Sequence, residues 1–296
     1  MVAMRRAVGF ILGLVLTGMA GGVLAETGAG PYPAVFEEDA SLPDHVVYRP
    51  EKLADVKAGS LGVYVFGNGG CSRDGTSSRN YLLEIASQGY LVIAPGMIPS
   101  AHPQVNDAPP AGGQLKAATA PEALTEAIDW AVRENDRVGS PYYQRLAPGK
   151  IAVSGWSCGG LQAISVASDP RISTVVIMNS GVFNEGNPIA GLNVDKSMLA
   201  DLHGSVIYVM GGPSDIAYAN GRDDYARISQ IPAAYIDIPV GHGGTYMEPH
   251  GGIGAEVVTA WLNWRLKGDL AAAAKFQGDN CGYCADARLV YEHKNF

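Results

Sequence analysis

The stretch "KIAVSGWSCGGLQAISVAS", residues 150–168, decides how this chain is read. A short apolar, β-branched run passes through G-W-S-C-G into a second apolar run with helical character, so a strand is expected to turn sharply into a helix at Ser157. The pattern G-x-S-x-G carries little weight by itself. With 38 glycines among 296 residues, about 0.3 such matches arise by chance. Its setting carries more. A strand, a tight turn and a helix put the Ser side chain at the apex, Gly155 and Gly159 leave the room a strained turn needs, and the helix N-terminus supplies a field that favours a developing anion. Ser157 is therefore expected to be a nucleophile rather than a small residue in a glycine-rich turn.

Outward from this stretch, strands and helices alternate. Apolar runs ended by glycines are expected as buried strands at 61–70, 90–96, 173–180, 204–212 and 233–240. Helices are expected around 77–89 (Ser77 or Ser78 as cap, Gly89 as stop), 120–139 (Pro121 in the first turn), 219–230 and 252–269. A Pro- and Gly-rich lead-in, a loop at about 97–118 containing His102, and a loop-like stretch at 181–202 separate them. The pattern is that of an α/β fold, a mostly parallel central sheet with helices on both faces, and the uninterrupted apolar strands fit a sheet covered on both sides. No linker and no internal repeat is found, so residues 26–296 are read as one domain with a Cys-containing tail at about 269–296.

In such sheets, sites form beyond the carboxyl ends of the strands. Asp215 follows the 204–212 strand and His242 follows the 233–240 strand. Taken singly, an Asp after a strand is a turn residue or cap, and a His in a Gly loop is unremarkable. Together, in the order Ser, acid, His, they are expected to form a triad: His242 takes the Ser157 proton, Asp215 orients the imidazole, and Ser157 attacks a carbonyl carbon. His250 is the reserve base. Asp223 and Asp224 fall in a helix and are weaker acids for the role; Asp237, inside a strand, is read as structural. An oxyanion would be met by the backbone N–H of Cys158 and by a second N–H from "GNGGCS" (67–72), either Gly70 or Cys71. Trp261 and Trp264 read as core, and Trp156 as part of the site's floor. The 181–202 stretch, with Phe183 and Glu185, reads equally as a specificity loop or a solvated one.

With the strand-GWSCGG-helix unit, the late Asp215 and His242 and the Gly-rich loop at Gly67, residues 47–268 resemble the α/β-hydrolase superfamily. Within it, "GNGGCSRDGTSSRNYLLEIASQGYLVIAPG" (67–96) is similar to the branch without a large lid domain that holds dienelactone-hydrolase-like, cutinase-like and polyester-hydrolase enzymes. The resemblance implies a serine esterase without metal or organic cofactor, acting on a small-molecule or polymer ester and working as a monomer. Ser157 stands where dienelactone hydrolases proper carry Cys, which favours ordinary ester chemistry. An ungapped match puts Cys71 at the family's second oxyanion donor. If Cys71 and Cys158 both face one oxyanion, their Cα atoms fall within disulfide range, and a Cys71–Cys158 bond is expected to tie the two halves of the oxyanion hole together. Cys158 as the nucleophile itself is disfavoured, since it lies one residue past the apex. Peptidase or acyltransferase chemistry on the same fold, and a catalytically silent binding module, are the alternatives.

Cys281 and Cys284 form "CGYC" after a helix rather than after a first strand, so a local structural disulfide is expected rather than a redox pair. A zinc site there has only His293 as a further nearby ligand. The start of the chain, two Arg (Arg5, Arg6), an apolar run and Val23-Leu24-Ala25, reads as a secretory signal over residues 1–25. This implies a secreted or periplasmic protein without stable membrane insertion after cleavage; a retained anchor is the alternative. Beyond Arg5 and Arg6 the chain carries 19 basic against 29 acidic residues, with no basic run, which argues against nucleic acid as a partner.

Overall fold

The computed structural model describes residues 27–102 and 115–296. The expected signal segment and most of the loop at about 97–118 lie outside the described residues. The centre is a nine-stranded sheet in the order β1-β2-β4-β3-β5-β6-β7-β8-β9. These are β1 (Ala34–Asp39), β2 (Leu42–Pro50), β3 (Leu61–Gly67), β4 (Tyr90–Pro95), β5 (Leu146–Trp156), β6 (Ile172–Met178), β7 (Val206–Met210), β8 (Ala233–Asp237) and β9 (Val290–Lys294). From β4 through β8 every pairing is parallel. Strands β1 and β2 at one edge and β9 at the other are antiparallel.

Alternate residues of each central strand enter two separate apolar layers, as the two-residue period of a strand requires. Val63 and Val65 point into one layer, with α2 (Glu122–Asp136), α3 (Cys158–Val166) and α4 (Tyr218–Arg227). Tyr64 and Phe66 point into the other, with α1 (Arg79–Ser87) and α5 (Gly252–Lys267). Trp261 is buried there, and Trp264 packs at its margin.

The three edge strands are the part the sequence pattern did not disclose. β1 is half-exposed and carries Glu37, Glu38 and Asp39; β9 reads Val-Tyr-Glu-His-Lys. Charged, partly solvated strands protect a sheet edge but lack the apolar run that marks a central strand. The tail is accordingly no appendage. Asp269 caps α6 (Leu270–Ala273) through the N–H groups of Ala271 and Ala272, Cys281 and Cys284 are disulfide-bonded, and Phe276 stacks edge-on against Trp261 before β9 joins β8. The caps differ from expectation too. Ser78 is the N-cap of α1 without a side-chain cap bond, while Gly89 does end the helix with φ +83°.

One contact fixes where α3 starts. Gly67 and Gly155 are register partners on adjacent strands, and Gly159 in the first turn of α3 sits on both. A Cβ on Gly159 would stand 2.0 Å from the Gly67 carbonyl oxygen, and one on Gly155 would stand 2.1 Å from the Gly159 carbonyl carbon. Both obstructing atoms are backbone, so neither can swing aside. Gly159→Ala should lower the midpoint of thermal unfolding by about 5 °C or more; an unchanged midpoint in a thermal melt would contradict this account of the contact.

Candidate active site

Ser157 is the hinge between β5 and α3, with φ 54° and ψ −118°, a backbone region costly for a residue with a side chain. Neighbouring bonds over-determine it. Its N–H donates to the Met178 carbonyl at 3.0 Å, and its carbonyl accepts from Ser180 Oγ at 2.6 Å. The turn projects Ser157 Oγ to 2.9 Å from His242 Nε2, and His242 Nδ1 lies 2.6 Å from Asp215 Oδ1. Ser157, Asp215 and His242, 85 residues apart at their extremes, are thus brought together at the carboxyl ends of β5, β7 and β8. The other acids and bases are elsewhere. His250 lies near Glu84 (3.6 Å), His102 pairs with Glu38 (2.9 Å), and Asp223 and Asp224 pair with Lys196 (2.8 and 2.6 Å).

Asp215 is buried, and burial pushes its carboxyl up, but four hydrogen bonds outweigh burial and leave it below the ordinary carboxylate value. The donors are His242, the Ala217 N–H (2.9 Å), Asn179 Nδ2 (2.8 Å) and the Gly211 N–H (3.0 Å). With the folded value depressed, the stability Asp215 contributes is complete above the ordinary carboxylate pKa and lost only as pH falls through its lower folded one.

Asn179, at the end of β6 with φ 45°, is the residue sequence reasoning missed. It is buried, donates also to the Gly241 carbonyl (3.1 Å), and accepts from Tyr246 Oη (2.7 Å). Tyr246 in turn packs on Trp156 with ring centroids 4.8 Å apart, and Trp156 Nε1–H donates to the His242 carbonyl at 2.9 Å. Trp156 therefore lies in the floor, as expected, and holds the His242 loop. A non-glycine residue at the end of an apolar strand gives no sequence signal for such a role.

The Cys71–Cys158 disulfide is present, with Cα atoms 5.2 Å apart. Cys158, first residue of α3, has an N–H without an intrahelical acceptor. The Cys71 N–H already donates to the Asn68 carbonyl at 3.0 Å, in a tight turn where Gly70 and Cys71 both have positive φ. It can therefore serve an oxyanion only by sharing.

Beside Ser157 and His242 lies a cavity of about 70 Å³ lined by Leu161, Phe183, Ile189, Ile216 and Ala217 together with Asn179, Ser180 and Asn220. The 181–202 stretch thus borders the site. A larger cavity of about 420 Å³, between α1, α5 and the tail, contains none of the triad. Among the described residues no three His, Cys, Asp or Glu side chains converge as metal ligands.

The 181–202 stretch is tied down by Asp224, which accepts from the Val182 N–H (2.7 Å) and Lys196 Nζ (2.6 Å). Burial pushes the Asp224 carboxyl up to about 6 against the pull of Lys196. A raised folded value means that the stability this group contributes is complete below the ordinary 3.8 and is lost as pH rises through about 6. The stability of the wild type relative to Asp224→Asn should therefore fall by about 2 kcal/mol between pH 4 and pH 7, measured by denaturant unfolding at each pH; a flat difference would refute the assignment.

Two disulfides suit an oxidising compartment, and among the described residues no helix is long and apolar enough to cross a membrane. No family model matches the chain, and no curated protein matches it.

Proposed function

We propose that this chain is a serine hydrolase of the α/β-hydrolase kind that cleaves carboxylic esters, exported into an oxidising compartment. The observation that carries the reading is the continuous hydrogen-bonded line from Ser157 Oγ through His242 to Asp215, at 2.9 and 2.6 Å, on a strand-turn-helix elbow. Nδ1 donates to the carboxylate, which leaves Nε2 as the acceptor for the Ser157 proton. As Oγ attacks the ester carbonyl, the proton passes to Nε2, the imidazolium is stabilised by Asp215, and the carbonyl oxygen gains charge. The Cys158 N–H at the start of α3, with the shared Cys71 N–H, meets that charge. The protonated imidazole then gives its proton to the leaving alcohol. The acyl-enzyme is hydrolysed by water, which His242 deprotonates in the same way. The disulfide holds the two candidate oxyanion donors at fixed separation, so little reorganisation is needed as charge develops.

Two experiments test the reading. A fluorophosphonate probe should label Ser157, and Ser157→Ala should abolish both labelling and ester turnover; labelling that persists in the variant would place the nucleophile elsewhere. Asn179→Ala should lower kcat about tenfold, because a charged acceptor loses a hydrogen-bond donor, with KM little changed. Asn179→Asp sets a second carboxylate against Asp215 and favours the imidazolium. The acid limb of the kcat/KM profile should therefore move to higher pH. An unmoved limb would make Asn179 a packing residue only.

A further inference from the structure

We infer that the recess beside Ser157 is an acyl pocket that admits only a short chain, so that the substrates of this protein are acetyl- or propionyl-sized esters of larger alcohols. The inference rests on the reading of Ser157 as nucleophile and adds the substrate class to it.

The size comes first. The recess touches Ser157, Cys158 and His242 and measures about 70 Å³, against about 420, 300 and 350 Å³ for three other clefts of the molecule. Its walls are mostly apolar: Leu161 and Ile189 are buried, Phe183, Ile216 and Ala217 join them, and Asn179, Ser180 and Asn220 are the polar part. A short hydrocarbon chain is the group such walls accept, because a charged or hydroxylated one would lose its water without replacement.

The walls are also held. Gly181 packs backbone to backbone on α4, where a Cβ would stand 2.4 Å from the Gly221 nitrogen. The Val182 N–H is bonded to buried Asp224. The Ile189 N–H donates to Asn187 Oδ1 at 2.9 Å, and the next residue, Ala190, exchanges backbone bonds with Leu115 and Ala117 at 2.9 and 3.0 Å. Enlarging the recess would break bonds on both sides of Ile189.

The chemistry says which half of the ester sits there. The alcohol takes its proton from His242 Nε2 and leaves, and water must then reach the same nitrogen. That side needs access to solvent, and the His242 side chain is 25% exposed. The acyl group stays bonded to Ser157 through both steps and is the half that can occupy an apolar recess.

The test is a series of p-nitrophenyl esters, which share a leaving group and differ only in the acyl chain. The intact protein should hydrolyse the acetate with a kcat/KM at least tenfold above the butyrate and a hundredfold above the octanoate. Phe183→Ala and Ile189→Ala should bring butyrate within about threefold of acetate. Ile216→Ala, at an exposed position that folding does not depend on, should move the ratio in the same direction. Rates that stay level or rise with chain length, while a small fluorophosphonate still labels Ser157, would overturn the acyl-pocket inference and leave the nucleophile standing. No turnover of any ester together with no labelling would overturn both.

Discussion

The architecture depends on three glycines that touch without side chains between them. Gly67 on β3, Gly155 on β5 and Gly159 on α3 bring two strands and a helix closer than any Cβ permits. This contact sets the height of α3 above the sheet, and so the position of the Cys158 N–H and of Ser157 at the hinge. It also carries Cys158 to 5.2 Å from Cys71, within disulfide reach. Ser157's unfavourable backbone angles persist because the contact and the bonds from Met178 and Ser180 leave it no alternative.

A second constraint is electrostatic and runs beneath the first. Asp215 is removed from water, which disfavours its charge, and four donors restore the balance. One of them, Asn179, is itself fixed by Tyr246, whose ring rests on Trp156. Trp156 stands next to Ser157 in sequence and holds the His242 loop by its indole N–H. The residue before the proposed nucleophile thus supports the residue that would activate it. This closed circuit explains why an apolar ring of intermediate exposure occupies the elbow, and why Gly69, whose Cβ would stand 2.4 Å from that ring, is glycine.

Much of this was legible in the sequence because it depends on local order. Central strands declare themselves as apolar runs, and the elbow by its glycines. Asp215 and His242 stand out because each follows a strand end. The Cys71–Cys158 pairing followed from the oxyanion loop's resemblance to a known arrangement. What stayed hidden depends on partners far away in sequence. β1 and β9 are charged edge strands whose pairing shows only once the neighbouring strand is placed. Asn179 looks like any polar residue closing a strand until Asp215, 36 positions on, is beside it. The engagement of the Cys71 N–H by Asn68 is a matter of turn geometry, which composition does not report.

The two disulfides differ in span, 87 residues against 3, yet share one property of sequence order. Each joins a cysteine to the next one along the chain. A chain threaded N-terminus first into an oxidising compartment presents Cys71 and then Cys158 before either later thiol emerges. An oxidant that joined thiols as they arrived would therefore make the native bonds directly, with no later reshuffling needed to correct them.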